Sequence, residues 1–234
     1  MTALWTQLAA RAAVALSEAQ VAQLHRYLDL LIEANQTMNL TRITDRDQAE
    51  RLHVGDALTL LPYLPAGHCM IADLGSGGGV PGIPLAIARP NARFLLVEST
   101  KKKAAFLWQT IEALGLTNVE VSDSRVEDLG HSEQRARYDV VTARAVALMP
   151  WLIEWAVPLL KFRGSLLAMK GAKAAEELAL SKRAQRMLRA SDPVVHPVTD
   201  LPGAENYVIV EVRKTGKTED KYPRSPTLAK GKHL

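Results

Sequence analysis

The segment Ile71-Ala72-Asp73-Leu74-Gly75-Ser76-Gly77-Gly78-Gly79-Val80-Pro81-Gly82 concentrates residue types suited to holding a nucleotide-containing ligand. Its apolar start reads as a buried parallel strand, and Pro81 suits the first turn of a following helix. Glycines in such a turn let the backbone approach a ligand that a Cβ would exclude, and the helix behind them offers free N–H groups. Two cofactor classes use a turn of this kind. Gly77, Gly79 and Gly82 satisfy G-x-G-x-x-G, the dinucleotide pattern. Gly75, Gly77 and Gly79 satisfy the tighter G-x-G-x-G, with Asp73 two residues before it. The apolar run ends at Leu74, so Gly75 should open the turn. A carboxylate at Asp73 suits the cationic end of S-adenosylmethionine and would repel a pyrophosphate. The favoured ligand is therefore S-adenosylmethionine, with a nicotinamide dinucleotide as the alternative.

Further candidates follow from strand ends. Glu98 closes the apolar run Arg93–Val97, about 20 residues beyond the glycines, where an acid can accept from ribose hydroxyls. Asp123, Val126 and Glu127 follow a third short strand and could border an adenine, because ligands of open parallel sheets lie outside the carboxyl ends of the strands. Lys170 ends a fifth strand and is a candidate for RNA. Lys101, Lys102 and Lys103 read as a solvated helix start. Cys69, the single cysteine, begins its strand at the end away from the cofactor and reads as a structural thiol, which argues against a pyrimidine methylase.

These residues need a scaffold of alternating strands and helices. Apolar runs at 69–74, 93–97, 119–121, 138–143 and 165–169, with helices at about 101–114 and 148–160, predict a parallel sheet with right-handed crossovers. Two strands near 193–199 and 207–212 would close it as a hairpin. Residues 170–192 receive no assignment. Residues 1–61 read as helical, with a capping box at Ser17–Gln20 and a cap at Asp45. The start of the chain is an amphipathic helix rather than a signal peptide. The chain divides into a helical extension (1–65), a cofactor-binding domain (66–213) and a basic, loosely ordered tail (214–234).

Composition fits one large domain: 234 residues, 47% hydrophobic and 23% charged. No apolar run approaches the length of a membrane span. Net charge is +4, and the excess lies late: residues 181–234 hold 11 Lys+Arg against 6 Asp+Glu. A basic end can meet phosphate, or simply be solvated.

With these features the sequence resembles the RsmG (GidB) family of bacterial methyltransferases, which modify N7 of one guanine in small-subunit ribosomal RNA. The likeness runs from about Asn39 to Lys230. It is carried by Asn39-Leu40-Thr41, His53 with Asp56, Asp73 to Pro84, Glu98-Ser99, Lys101-Lys102, Arg125-Val126-Glu127, Asp139 to Ala147, Lys170-Gly171 and Lys221-Tyr222-Pro223-Arg224. The resemblance implies a class I, Rossmann-like α/β fold: a seven-stranded, mostly parallel sheet with a helical N-terminal extension. It implies cofactor contacts at Gly75, Val80, Val126, Glu127 and Arg144, beside Gly77 and Glu98. Val80 departs from the larger Phe or Leu usual there, and Ser225-Pro226-Thr227-Leu228 departs from the family's tail. His53 becomes a candidate for the substrate side, and Arg224 in the tail for RNA. Arg144 has two readings, a cofactor contact or a donor to guanine O6 or phosphate. The resemblance further implies a partner in small-subunit ribosomal RNA or the small subunit; a cytoplasmic monomer acting without membrane is the expected setting. Methylation of guanine N7 requires no general base, so none is expected. A non-catalytic RNA-binding factor with a vestigial loop is the remaining alternative, and intact Asp73, Glu98 and Arg144 argue against it.

Overall fold

Helical periodicity in the first sixty residues and short apolar runs thereafter become a layered α/β domain. A computed structural model describes residues 2–229 and 231–234; Met1 and Lys230, which bound two of the spans above, lie outside the described residues. Helices α1 (Thr2–Ala10) and α2 (Glu18–Met38) come first. Ser17 caps α2 by accepting from Gln20 N, and the Gln20 side chain accepts in return from Ser17 N. A broken helix follows: α3 (Arg46–Ala49), a π-helical turn (Glu50–Gly55) and α4 (Asp56–Leu58). Then come β1 (Met70–Leu74), α5 (Gly82–Ala88), β2 (Arg93–Val97), α6 (Lys101–Leu114), β3 (Val119–Ser122), α7 (Val126–Leu129) and β4 (Tyr138–Arg144). The chain ends with α8 (Met149–Leu159), β5 (Leu160–Lys170), α9 (Ala174–Leu188), β6 (Val194–Pro197), β7 (Val208–Arg213) and α10 (Pro226–Ala229).

The seven strands form one sheet in the order β3-β2-β1-β4-β5-β7-β6. Strands β1 to β5 pair in parallel, and β7 runs antiparallel between β5 and β6. The order reverses beside β1, so a crevice opens at the carboxyl ends of β1 and β4, where ligands of such sheets bind. The helical extension is not a separate lobe. Leu24, Tyr27 and Leu28 of α2 share an apolar cluster with Ile83, Phe94 and Leu107, covering one face of the sheet. A second cluster, built on Val141, Leu166, Met149 and Leu188, covers the other.

Two expectations need correction. The span 170–192, left unassigned, holds the fifteen-residue helix α9. Its buried face is made of Ala174, Ser181, Ala184, Gln185 and Leu188, too small and polar to announce itself as an apolar stripe. The tail after Arg213 is packed rather than loose. Tyr222 is buried, and Arg135 donates to the carbonyls of Gly130, Thr218, Glu219 and Tyr222. Few apolar residues are needed when backbone carbonyls and one guanidinium supply the anchors.

Candidate active site

The register between β1 and β4 sets Asp73 opposite Thr142. Thr142 Oγ1 donates to Asp73 Oδ1 at 2.8 Å, and Gly82 N at the start of α5 donates to Oδ2 at 3.3 Å. Asp73 is fully buried, and burial pushes its carboxyl up to about 6 against these hydrogen bonds and the Arg144 charge. Both Asp73 oxygens are therefore taken up by the fold, whereas the sequence had suggested a carboxylate facing the cationic end of the cofactor. Asp73 ties the end of β1 to β4 and to the helix behind the loop.

Because β1 ends at Leu74, Gly75 opens the turn with φ +63°, and Gly77 follows with φ +54°. A Cβ on Gly77 would meet nothing closer than Gly75 O at 3.8 Å, so the loop offers bare backbone to the crevice. Tyr27 Oη donates to Gly78 O at 2.8 Å and pins the loop from the extension. From the next strand, Glu98 Oε2 accepts from Gly77 N at 3.1 Å and Oε1 from Thr100 N at 2.8 Å. One carboxylate thus joins the loop to the start of α6.

These groups line a hollow of about 1020 Å³. Gly75, Gly77, Val80, Glu98, His53 and Arg144 all border it. Sequence reasoning missed part of its wall: Asn35, Arg42 and Thr44 border it as well, and so does Lys103, taken above for a solvated residue. The Asn39-Leu40-Thr41 match was the available signal for the first three. A second hollow, of about 570 Å³, is lined by Asp56, Val146, Met169, Lys170, Tyr207 and Ile209 among others. Arg144 and Ala145, at the end of β4, border both.

Where the hollows meet, polar groups are incompletely paired. Arg144 Nε lies 3.4 Å from Asp56 Oδ2, while Arg144 Nη1, Asp56 Oδ1 and His53 Nδ1 are buried with no hydrogen-bond partner. His53 Nε2 lies 3.1 Å from Thr41 Oγ1. Burial, then the Arg144 charge, pulls His53 down to about 4, so the ring is neutral at pH 7. Burial raises Asp56 to about 6 against the Arg144 charge. Both residues sit on or beside the π-helical turn, a distortion frequent at functional sites.

Not every candidate comes together. Val126 and Glu127 stand at the start of α7, beyond the end of β3, and border neither hollow. Lys170 borders the second hollow but is held by Glu177 at 2.5 Å and Ala147 O at 2.6 Å, so its charge is matched by a carboxylate. Arg224 borders neither hollow and forms a two-point pair with the buried Glu154.

A glycine turn after the first parallel strand, an acid after the second and an antiparallel seventh strand define a Rossmann-like, class I methyltransferase fold. Solved structures agree. A SAM dependent methyltransferase from Aquifex aeolicus superposes with TM-score 0.57 at 14% identity, covering 76% of this chain and 97% of that one. The 16S rRNA (adenine(1408)-N(1))-methyltransferase of Catenulisporales acidiphilia superposes with TM-score 0.52 at 13% identity, covering 64% and 87%. Sequence comparison narrows the class. The chain belongs to the rRNA small subunit methyltransferase G family, whose model matches residues 20–200. The relative named ribosomal RNA small subunit methyltransferase G from Chloroflexus aggregans is 43% identical over 213 residues, covering 91% of this chain and 89% of the relative. The protein of the same name from Sorangium cellulosum is 43% identical over 212 residues, covering 90% and 86%.

Glu98 carries one expected result. Glu98→Ala should weaken S-adenosylmethionine binding by about 1–3 kcal/mol, the scale of a lost charge-assisted hydrogen bond. Calorimetry checks it, and equal affinity in a folded variant would leave Glu98 with only its loop-bracing role.

Proposed function

We propose that this chain transfers a methyl group from S-adenosylmethionine to N7 of one guanine in 16S ribosomal RNA. The observation that carries the reading is the pair of hollows meeting at Arg144, one floored by the bare glycine turn and the other walled by Asp56, Lys170 and apolar side chains. Membership of the methyltransferase G family supports the same substrate class.

The first hollow fits the cofactor. Gly75 and Gly77 leave its floor free of side chains, and Glu98 sets a carboxylate where ribose hydroxyls can donate. When bound, S-adenosylmethionine supplies an electrophilic methyl on a sulfonium centre. The protein's task is then positional. Guanine N7 carries an in-plane lone pair and no proton, so the chain needs no general base, and the neutral His53 is not asked to act as one. Holding the base in line with the methyl is enough to lower the barrier, because orientation alone contributes several kcal/mol, of order 7–11 at best. The product base is cationic, and the Asp56 carboxylate beside the second hollow opposes that charge.

The target must be accessible on its Hoogsteen edge, which the deep, narrow groove of an RNA helix hides. A loop or an incompletely assembled small subunit is therefore the substrate in this reading. Among the described residues no helix is long and apolar enough to cross a membrane. A cytoplasmic monomer acting without membrane is part of the proposal.

The test is to incubate the protein with tritiated S-adenosylmethionine and small subunits from a strain lacking the gene. Label is expected in 16S ribosomal RNA as 7-methylguanosine at a single position. Label in another nucleoside, or no label with a cofactor-binding protein, overturns the reading.

A further inference from the structure

Four of the 11 Lys+Arg in residues 181–234 stand within the eight residues 182–189, in the second half of α9 and at its cap: Lys182, Arg183, Arg186 and Arg189. No acid lies between Glu177 and Asp192. All four side chains are exposed. Lys182, Arg186 and Arg189 follow at i, i+4 and i+7 and so share one face, with Arg183 three residues before Arg186. The opposite face belongs to the fold, where Ala184 and Leu188 join Leu152 and Ile153 of α8. Neighbouring cations are paired, Lys170 with Glu177 and Arg213 with Glu211. Among the described residues no carboxylate pairs with the four on α9.

Stability does not ask for this arrangement. Cations favour the carboxyl end of a helix through its dipole, but the effect fades beyond the last turn, and Lys182 and Arg183 lie before it. Like charges three and four residues apart repel each other. A bound polyanion relieves that repulsion and gains further by releasing its counterions. A bilayer surface would need an apolar face as well, and Leu180 alone among the large apolar side chains of α9 is exposed.

The stripe is also connected to the site. Lys170, Gly171 and Glu177, where β5 passes into α9, border the second hollow. From there α9 runs back along β5 to the opposite edge of the sheet. Thr215 N donates to Arg189 O at 2.7 Å, and Arg163 N, near the start of β5, donates to Lys214 O at 3.0 Å. At 1.5 Å per residue, Lys182 and Arg189 stand about 12 and 22 Å along the helix from Ala174. The two cations in the wall of the second hollow face carboxylates, Lys170 that of Glu177 and Arg144 that of Asp56. A guanine entering there meets no free cation for its phosphates in that wall, so the backbone has to be held by the surface around it.

We infer that the exposed face of α9, with Lys182, Arg186 and Arg189 at its centre and Arg183 beside them, binds the phosphate backbone of small-subunit ribosomal RNA flanking the target guanine. The inference rests on the ribosomal RNA reading above and adds the surface that docks the substrate. These are positioning residues, which hold the RNA without touching the reacting atoms.

The test compares two variants of equal charge loss. One is Lys182→Gln with Arg186→Gln and Arg189→Gln; the other changes exposed arginines elsewhere, Arg26→Gln with Arg93→Gln and Arg137→Gln. Binding to a 16S ribosomal RNA transcript is measured by filter retention across a salt series, and methylation of small subunits is followed in parallel. The α9 variant should reduce the slope of log K against log salt by about 2–3, and raise the Kd for RNA about 10- to 100-fold near 0.1 M salt. KM for subunits should rise with it, while kcat at saturating subunits and the calorimetric Kd for S-adenosylmethionine stay within about two-fold, as for a lost phosphate contact. The comparison variant should show a much smaller change in slope and KM. Native slope and Kd in a folded α9 variant overturn the inference. So does an effect no larger than that of the comparison variant, which would reflect net charge alone. A loss on subunits without a loss on the bare transcript would assign the face to an acidic ribosomal protein and overturns it too. If circular dichroism shows the triple variant unfolded, Arg186→Gln alone should lower the slope by about one, and an unchanged slope there is equally decisive. Failure of the native protein to label 16S ribosomal RNA would sink the functional reading itself, whereas normal labelling with an indifferent α9 sinks only this inference.

Discussion

Gly75→Val is expected to abolish S-adenosylmethionine binding while leaving the chain folded. Gly75 has φ +63°, a region that a β-branched residue adopts only under strain. Its Cβ would stand 2.8 Å from Val146 Cγ2, closer than real Cβ contacts come. Two consequences follow from one atom. The turn must move off its path, which displaces the backbone that floors the first hollow. Val146 must also move, and Val146 walls the second hollow next to Ala145 and Arg144. The strain is local, about 1–3 kcal/mol, less than a domain of this size commands. Circular dichroism should therefore report a folded protein with a lowered Tm, and calorimetry should show no heat with S-adenosylmethionine. The native protein should bind S-adenosylmethionine and give no heat with NAD. Native affinity in the folded variant would reduce Gly75 to a turn residue, and tight NAD binding without S-adenosylmethionine would restore the dinucleotide alternative.

The second large effect concerns the end of the chain. Arg224→Ala should cost about 3–5 kcal/mol of stability, the scale for breaking a buried ion pair by removing one partner. Arg224 Nε and backbone N donate to Glu154 Oε1 and Nη2 donates to Oε2, all within 2.9 Å, and Glu154 is fully buried on α8. Without Arg224 that carboxylate is left desolvated and unmatched. Urea denaturation reads the loss directly, and an unchanged midpoint would refute it. The double variant Glu154→Leu with Arg224→Ala should recover much of the loss, because an apolar pair leaves no buried charge. Truncation after Arg213 should be worse still, since it also uncovers Tyr222's site and frees Arg135 from its carbonyls. A tail expected to meet RNA through loose basic residues is thus expected to act first as a strap. Any fall in methylation on truncation must be measured against that loss of fold. The basic side chains left for phosphate are those the strap does not occupy, and Lys170, held by Glu177, is not free either.

Much of this architecture was legible in the residues. Apolar runs that stop at glycine or at a charged residue located the seven strands, and the strand-end rule located Gly75, Glu98 and Lys170, because parallel strands of similar length end at one edge; Arg144 came from the family resemblance, and Val126 and Glu127, placed by the same rule, border neither hollow. The DLGSGGGVPGIP and TARAVA segments sufficed for the family. Periodicity reports only the repeating contrast between apolar and polar, so a helix that packs through Ala and Ser, as α9 does, left no trace. A tail held by main-chain carbonyls and one ion pair likewise resembles a solvated one.

What tertiary structure alone decided is which way each polar side chain faces. Asp73 was read as a ligand for the cofactor. The β1–β4 register and the start of α5 surround it instead, and a carboxylate with Thr142 and Gly82 already bonded to it has become part of the frame. Arg224 and Lys170 were read as free cations, yet each met a carboxylate from a distant or neighbouring helix. Asp56 carried no role in the sequence beyond its spacing from His53. The fold sets it against Arg144 at the end of β4, a contact that leaves one carboxylate oxygen and one guanidinium nitrogen buried without partners. Sequence states which groups a chain owns and, through periodicity, which edge of a sheet they reach. Whether a buried charge is satisfied by the fold or kept for a ligand depends on contacts between segments far apart in the chain, and only the folded structure contains them.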